Sequence, residues 1–122
     1  MVTDAVPIRF LVLDVDGVIT DGTLLLLPSG DEVRSVHFHD LDAVARLQRL
    51  GVQVATLSGE DRPGGRQVAA RFGIAEAVWD AKDKLTALRE LTARLGFALS
   101  ETCYVGDADR DAASTESAGH AE

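Results

Sequence analysis

Cys103 is the only cysteine of the chain. No internal disulfide can form, and a reducing compartment suits such a protein. Its "CYVG" context is an apolar strand, where an inert buried thiol is expected rather than a nucleophile. Basic residues are also scarce: 12 Lys and Arg stand against 20 Asp and Glu, a formal net charge of −8. A nucleic-acid backbone requires a basic surface, so nucleic acid is not an expected partner. An anionic substrate would need a local cation, either Lys/Arg or a metal ion. Long apolar runs are missing too. None approaches the roughly 18 residues of a membrane span. The opening "MVTDAVPIRF" lacks the charged region and apolar stretch of a signal peptide. A cytoplasmic protein with no membrane partner is the expectation. The 122 residues, 46% hydrophobic and 26% charged, suffice for one domain over 1–122 with a modest core.

Strand and helix signals then alternate along the chain. Ile8–Leu13 is a short apolar run broken by Arg9, the pattern of a central buried strand. Thr23–Leu27, the turn cluster "PSGDE" and the alternating Val33–Phe38 predict a β-hairpin. Asp40 can cap a helix carrying Leu41, Val44, Ala45, Leu47 and Leu50, which Gly51 stops. "VQVATLS" at 52–58 reads as a strand. Residues 62–72 read as a helix with Pro63 in its first turn, although Gly64 and Gly65 oppose it. Ala77–Trp79 reads as a brief strand. In "DKLTALRELTARLG", Leu85, Leu88, Leu91 and Leu95 form one helical stripe that Gly96 closes, and Thr102–Val105 is a last strand. The alternation predicts an α/β, Rossmann-like three-layer fold: a mainly parallel sheet, a hairpin inserted after the first strand, and no cap domain.

Sites in such sheets form at the carboxyl ends of the strands. There the chain carries Asp14 and Asp16, then Ser58, then Lys84, then Asp107 with Asp111. These residue types together suit phosphoryl transfer. A carboxylate can attack phosphorus and form an aspartyl-phosphate. Carboxylate oxygens hold Mg²⁺. A Lys and the metal neutralise the phosphoryl oxygens, and a hydroxyl or backbone N–H binds the others. A calcium loop fits less well. Asp14-x-Asp16 and Asp107-x-Asp109-x-Asp111 open like one, but Ile19 and Ala112 stand where Gly is required, and Leu25 and Ala118 where Glu is required.

"DVDGVITDG", "TLSGE", "KDKL" and "YVGDADRD", in this order, resemble the four motifs of the haloacid dehalogenase superfamily over roughly residues 8–113. The hairpin after the first motif narrows the resemblance to an uncapped branch. That branch contains phosphatases of 3-deoxy-manno-octulosonate 8-phosphate and the phosphatase-like module of some acylneuraminate cytidylyltransferases. The resemblance implies a Mg²⁺-dependent phosphomonoester hydrolase. Its substrate would be a small acidic sugar phosphate, such as 3-deoxy-octulosonate 8-phosphate or a sialic-acid-type 9-phosphate. It implies Asp14 as nucleophile and Asp16 as general acid and base. Asp14, the backbone carbonyl of Asp16, and Asp107 would hold Mg²⁺, supported by Asp111. Ser58 and Gly59 would take the phosphoryl group, and Lys84 would orient the nucleophile, with Lys82 as the alternative. The family often has Thr-Gly-Arg where this chain has Ser58, Gly59 and Glu60, so the missing cation falls to Arg62 or Arg66. The second acid of the fourth motif is replaced by Ala108, and the C-terminus is short relative to the family.

Other features have plainer readings. His37 and His39 are expected on one face of the hairpin as a surface or subunit contact, since no third metal ligand lies near. Trp79 is expected in the core. "TLLLL" is too apolar for a free ribbon, and the family resemblance implies that hairpins of several copies pack into a homotetramer. The alternative to an enzyme is a non-catalytic oligomerisation or regulatory module associated with nucleotide-sugar synthesis.

Overall fold

The computed structural model describes residues 7–106, so Asp107 and Asp111 lie outside the described residues. Strand β1 (Phe10–Leu13) is paired in parallel on both edges, with β4 (Gln53–Leu57) and β6 (Thr102–Val105). β4 pairs in parallel with β5 (Glu76–Val78), giving the order β5-β4-β1-β6. The side chains of β1 alternate between two helical layers. Phe10 and Val12 join Ala55, Leu57 and Tyr104 beneath helix α3 (Lys84–Leu95), through its Leu88 and Leu91. Leu13 and Val54 face the other way, toward Val44 of α1 (Phe38–Arg49) and Val68 of α2 (Pro63–Arg71). This is the expected three-layer α/β fold. Among the described residues, a two-stranded hairpin is the insertion between β1 and α1.

That hairpin is smaller than expected. Its paired strands are β2 (Leu25–Leu26) and β3 (Glu32–Val33), with Leu25 opposite Val33. The alternating stretch to Phe38 is not a strand, because α1 already begins at Phe38. The cap is not Asp40 but His37, whose Nδ1 accepts the His39 N–H at 3.0 Å. Asp40 sits in the first turn, where a carboxylate favours the helix dipole. His37 and His39 therefore lie at a helix start rather than on the hairpin, with ring centroids 4.7 Å apart. Among the described residues, no group of three or more His, Cys, Asp or Glu could hold a metal.

The two glycines that oppose α2 have steric causes. A Cβ on Gly64 would lie 1.8 Å from the Arg34 guanidinium, and one on Gly65 would lie 3.3 Å from the Trp79 ring. Each glycine costs about 1 kcal/mol of helix stability. The close approach of a neighbouring side chain outweighs that cost here. Trp79 itself is half-buried. It packs against the core on one side and lines a cleft on the other.

Candidate active site

The chain leaves β1 in a tight loop. Asp14 is extended, and Gly17 takes φ +87°, a conformation that strains any side-chain-bearing residue. Thr20, which sequence reasoning missed, ties this loop together. Its buried Oγ1 accepts from the N–H of Gly17 at 3.3 Å and of Gly22 at 3.2 Å, and donates to Asp16 Oδ1 at 3.4 Å. Asp14 is anchored on both sides. Its N–H donates to the Val105 carbonyl of β6 at 3.0 Å, and its Oδ1 accepts from the Val15 N–H at 2.8 Å.

The other strand ends converge on this loop. Lys84, first residue of α3, places Nζ 3.1 Å from Asp14 Oδ2, and the two side chains are only 9% and 10% exposed. Lys82 goes elsewhere. Its ammonium donates to the Gly59 carbonyl and lies 3.3 Å from Glu60 and 3.4 Å from Asp80. The ammonium beside Asp14 is thus that of Lys84. After β4, the Ser58 N–H donates to Val78 O at 2.9 Å, and the Ala81 N–H donates to Ser58 O at 2.8 Å. This strap brings the second and third motifs side by side. Ser58 is 6% exposed, and among the described residues its hydroxyl has no hydrogen-bond partner. Buried hydroxyls rarely stay unpaired, so this one marks a place for an acceptor or donor that arrives from solution.

These groups line one cleft of about 170 Å³, with walls that include Asp14, Asp16, Ser58, Gly59, Glu60, Arg62, Trp79 and Lys84. The volume is below that of a drug-sized pocket and suits a phosphoryl group, the rest of a substrate standing at the open mouth. Arg62 lines the cleft. Arg66 does not: it pairs with Asp61 at 2.6 Å and lies 5.1 Å over the Trp79 ring. A buried ion-pair network behind the cleft was also missed. Arg34 Nε donates to Asp16 Oδ1 at 2.8 Å and Nη1 to Glu32 Oε1 at 2.7 Å, while Arg62 Nε donates to Glu32 Oε2 at 2.7 Å. The Arg34 guanidinium beside Glu32 holds its carboxyl below the ordinary 4.5, against the opposing effect of burial and with Arg62 adding to it. Glu32 lies on β3 and Arg34 just beyond it, and no local pattern in the sequence marks the pair.

Helix α3 delivers Lys84 through its cap. Asp83 Oδ1 accepts the Thr86 N–H at 3.1 Å and Oδ2 accepts the Thr86 hydroxyl at 2.8 Å. These bonds, the backbone one first, lower the Asp83 pKa from 3.8. A depressed folded-state pKa stabilises the fold above the unfolded value, and the contribution is lost as pH falls through the folded value. Asp83→Ala is therefore expected to lower the urea midpoint at pH 7, with the gap to wild type closing below about pH 3.8. Asp83→Asn, a good cap, should retain most of the stability. Equal losses in both variants at every pH would contradict the capping role.

A central parallel strand ending in Asp14 and Asp16, a Lys–Asp pair and a phosphate-sized cleft define a hydrolase-like site in an α/β fold. The haloacid dehalogenase-like hydrolase family matches over residues 34–119, and the chain belongs to that family. It is 37% identical over 100 residues to 3-deoxy-D-manno-octulosonate 8-phosphate phosphatase of Haemophilus influenzae, covering 82% of this chain and 56% of that protein. It is 30% identical over 107 residues to the Salmonella typhi enzyme, covering 88% of this chain and 57% of that one. The chain thus spans a little over half the length of these relatives. The Moraxella catarrhalis phosphatase of the same name, solved with magnesium, phosphate and the sugar acid, superposes with a TM-score of 0.82 at 31% identity. That match covers 88% of this chain and 62% of the other. The cobalt-bound Haemophilus influenzae structure gives 0.85 at 34% identity, covering 93% and 67%.

Proposed function

We propose that the chain is a Mg²⁺-dependent phosphomonoester hydrolase acting on a small acidic sugar phosphate of the 3-deoxy-octulosonate 8-phosphate or sialic-acid 9-phosphate type. One observation carries this reading: the Asp14 carboxylate and the Lys84 ammonium, 3.1 Å apart and nearly buried, open onto the cleft lined by the unpartnered Ser58 hydroxyl. The likeness to sugar-phosphate phosphatases supports it. In this reading an Asp14 oxygen attacks phosphorus and the ester P–O bond breaks. The leaving oxygen takes a proton from Asp16. Asp16 then removes a proton from water, which attacks the aspartyl-phosphate and returns Asp14 as carboxylate with free phosphate. Lys84 orients Asp14 and offsets charge on the phosphoryl oxygens. Ser58 and the Gly59 backbone bind the other oxygens, and Arg62 meets the sugar's carboxylate.

The donors suit Mg²⁺. Asp14 and Asp16 offer hard oxygens only, and among the described residues no sulfur or imidazole lines the cleft. Asp14, the Asp16 carbonyl and Asp107 would hold the ion, supported by Asp111. Bound there, it would supply positive charge to the phosphoryl oxygens. The expected result is phosphate release from both acidic sugar phosphates, faster than from an aryl phosphate and abolished by EDTA. A folded protein that releases phosphate from none of the three would remove the phosphatase reading and leave the non-catalytic module.

The hairpin bears on assembly. Leu24, Leu25, Leu26 and Leu27 are 39%, 56%, 66% and 45% exposed in succession, an apolar ridge of the kind that marks an interface. We propose that other copies of the chain cover it in a tetramer. Sedimentation at micromolar concentration should show the assembly, and a Leu26→Asp variant should dissociate it. A wild-type monomer would sink the idea. Among the described residues no helix is long and apolar enough to cross a membrane.

A further inference from the structure

A chain of paired charges behind the cleft alternates in sign: Asp16, Arg34, Glu32, Arg62. The outer two line the cleft and are 45% and 39% exposed, whereas the inner two are 3% and 9% exposed. Fully buried guanidinium groups are rare and persist only when paired. A buried pair of this kind is weak evidence of stability. What it does here is fix both exposed ends. Arg34 binds Asp16 at Oδ1, 2.8 Å away, and Asp16 itself lines the cleft. Glu32 occupies Arg62 through Nε at 2.7 Å and through Nη2, leaving Nη1 as the edge turned away from Glu32. Nη1 is 3.9 Å from Glu60 at the cleft wall, beyond a hydrogen bond.

Gly64 makes room for this arrangement. Glycine is among the poorest residues inside a helix, yet any Cβ there would collide with Arg34 Nη1 at 1.8 Å and crowd Glu32 Oε1 at 3.0 Å. The chain gives up helix stability at this position and seats a guanidinium.

We propose that Glu32, on the inserted hairpin, and Arg34, just after it, are positioning residues. Arg34 orients Asp16 for proton transfer, and Glu32 aims Arg62 at a carboxylate on the substrate, at a distance from the phosphoryl group. This inference rests on the phosphatase reading above and adds to it. The hairpin is a specificity element acting within one chain, and the substrate class it selects carries a second anionic group.

The test uses the full chain with Mg²⁺ and compares 3-deoxy-octulosonate 8-phosphate with 4-nitrophenyl phosphate, which has no carboxylate. Glu32→Gln should raise KM for the sugar phosphate about tenfold, the scale of one charge-assisted hydrogen bond, with kcat within about twofold. KM for the aryl phosphate should move by less than about threefold. Gly64→Ala alters no charge. It should lower kcat on both substrates about tenfold by displacing Arg34 from Asp16, with a far-ultraviolet spectrum matching the wild type and some loss of thermal stability as the buried pairs are disturbed. Equal KM shifts on both substrates, or wild-type kcat in Gly64→Ala, would overturn the proposal. Calorimetric binding of the free sugar acid separates the two claims. If the wild type releases no phosphate, the phosphatase reading fails, and the relay is then judged by affinity. About tenfold weaker binding by Glu32→Gln sustains it; equal affinity, or no binding by the wild type, overturns it.

Discussion

Asp14→Asn is expected to keep the wild-type fold with some loss of stability, since Lys84 loses this carboxylate, and to release phosphate about 10⁴-fold more slowly or not at all, the scale seen when a covalent nucleophile is removed. The substitution is nearly isosteric. Its side-chain oxygen can still accept from the Val15 N–H, which Asp14 binds at 2.8 Å, and its backbone N–H still donates to Val105. The loop held by Thr20 has no reason to open. An amide, however, cannot form an acyl phosphate. The assay is released phosphate over hours against a far-ultraviolet spectrum matching the wild type. Turnover within tenfold of wild type would remove Asp14 as nucleophile and direct attention to Asp16.

Lys84→Met is expected to affect both stability and turnover. The methionine side chain matches the length and much of the volume of lysine but carries no charge. It leaves the Asp14 carboxylate about nine-tenths buried without its ammonium. Breaking a buried pair from one side costs about 3 kcal/mol or more, because the remaining charge cannot recover its hydration. Denaturation in EDTA should show that loss. The double variant Asp14→Asn/Lys84→Met should lose less than the sum of the two single variants, since the two residues are in contact. Turnover should fall about 10²–10³-fold, as for loss of one preorganised electrostatic contact. Lys82→Met is the control. That side chain is 65% exposed and pairs with exposed acids, so little change is expected. A Lys84→Met protein as stable as wild type would mean that the 3.1 Å pair contributes little.

Much of this architecture was legible in the sequence because its signals were local and redundant. β1, β4 and β6 are short β-rich apolar runs, and α3 carries a leucine stripe between the Asp83 cap and a Gly96 that takes φ +82°. The placement of Asp14, Asp16, Ser58 and Lys84 at strand ends followed from the same alternation, and the structure brings those four to one cleft. What escaped was set by contacts between distant segments. Arg34 and Asp16 are 18 residues apart, and Arg62 and Glu32 are 30 apart. No periodicity announces such pairs. Gly64 and Gly65 argued against α2 when read as propensities; only the Arg34 and Trp79 side chains that press on them explain their presence. His37 escaped as a cap because an imidazole Nδ1 is an uncommon substitute for Ser, Thr, Asp or Asn.

The position of β1 has a consequence for how such a domain can diversify. Asp14 directly follows a strand bonded to neighbours along both edges, and its own N–H is tied into β6. Glu32 stands on, and Arg34 just after, a ribbon of two short strands that among the described residues pair only with each other. Changes in the apolar tip of the ribbon, at Leu24 to Leu27, can therefore accumulate while the nucleophile stays where the sheet holds it. The nucleophile is held by the sheet, while the hairpin segment reaches the site through the side chains of Arg34 and Glu32.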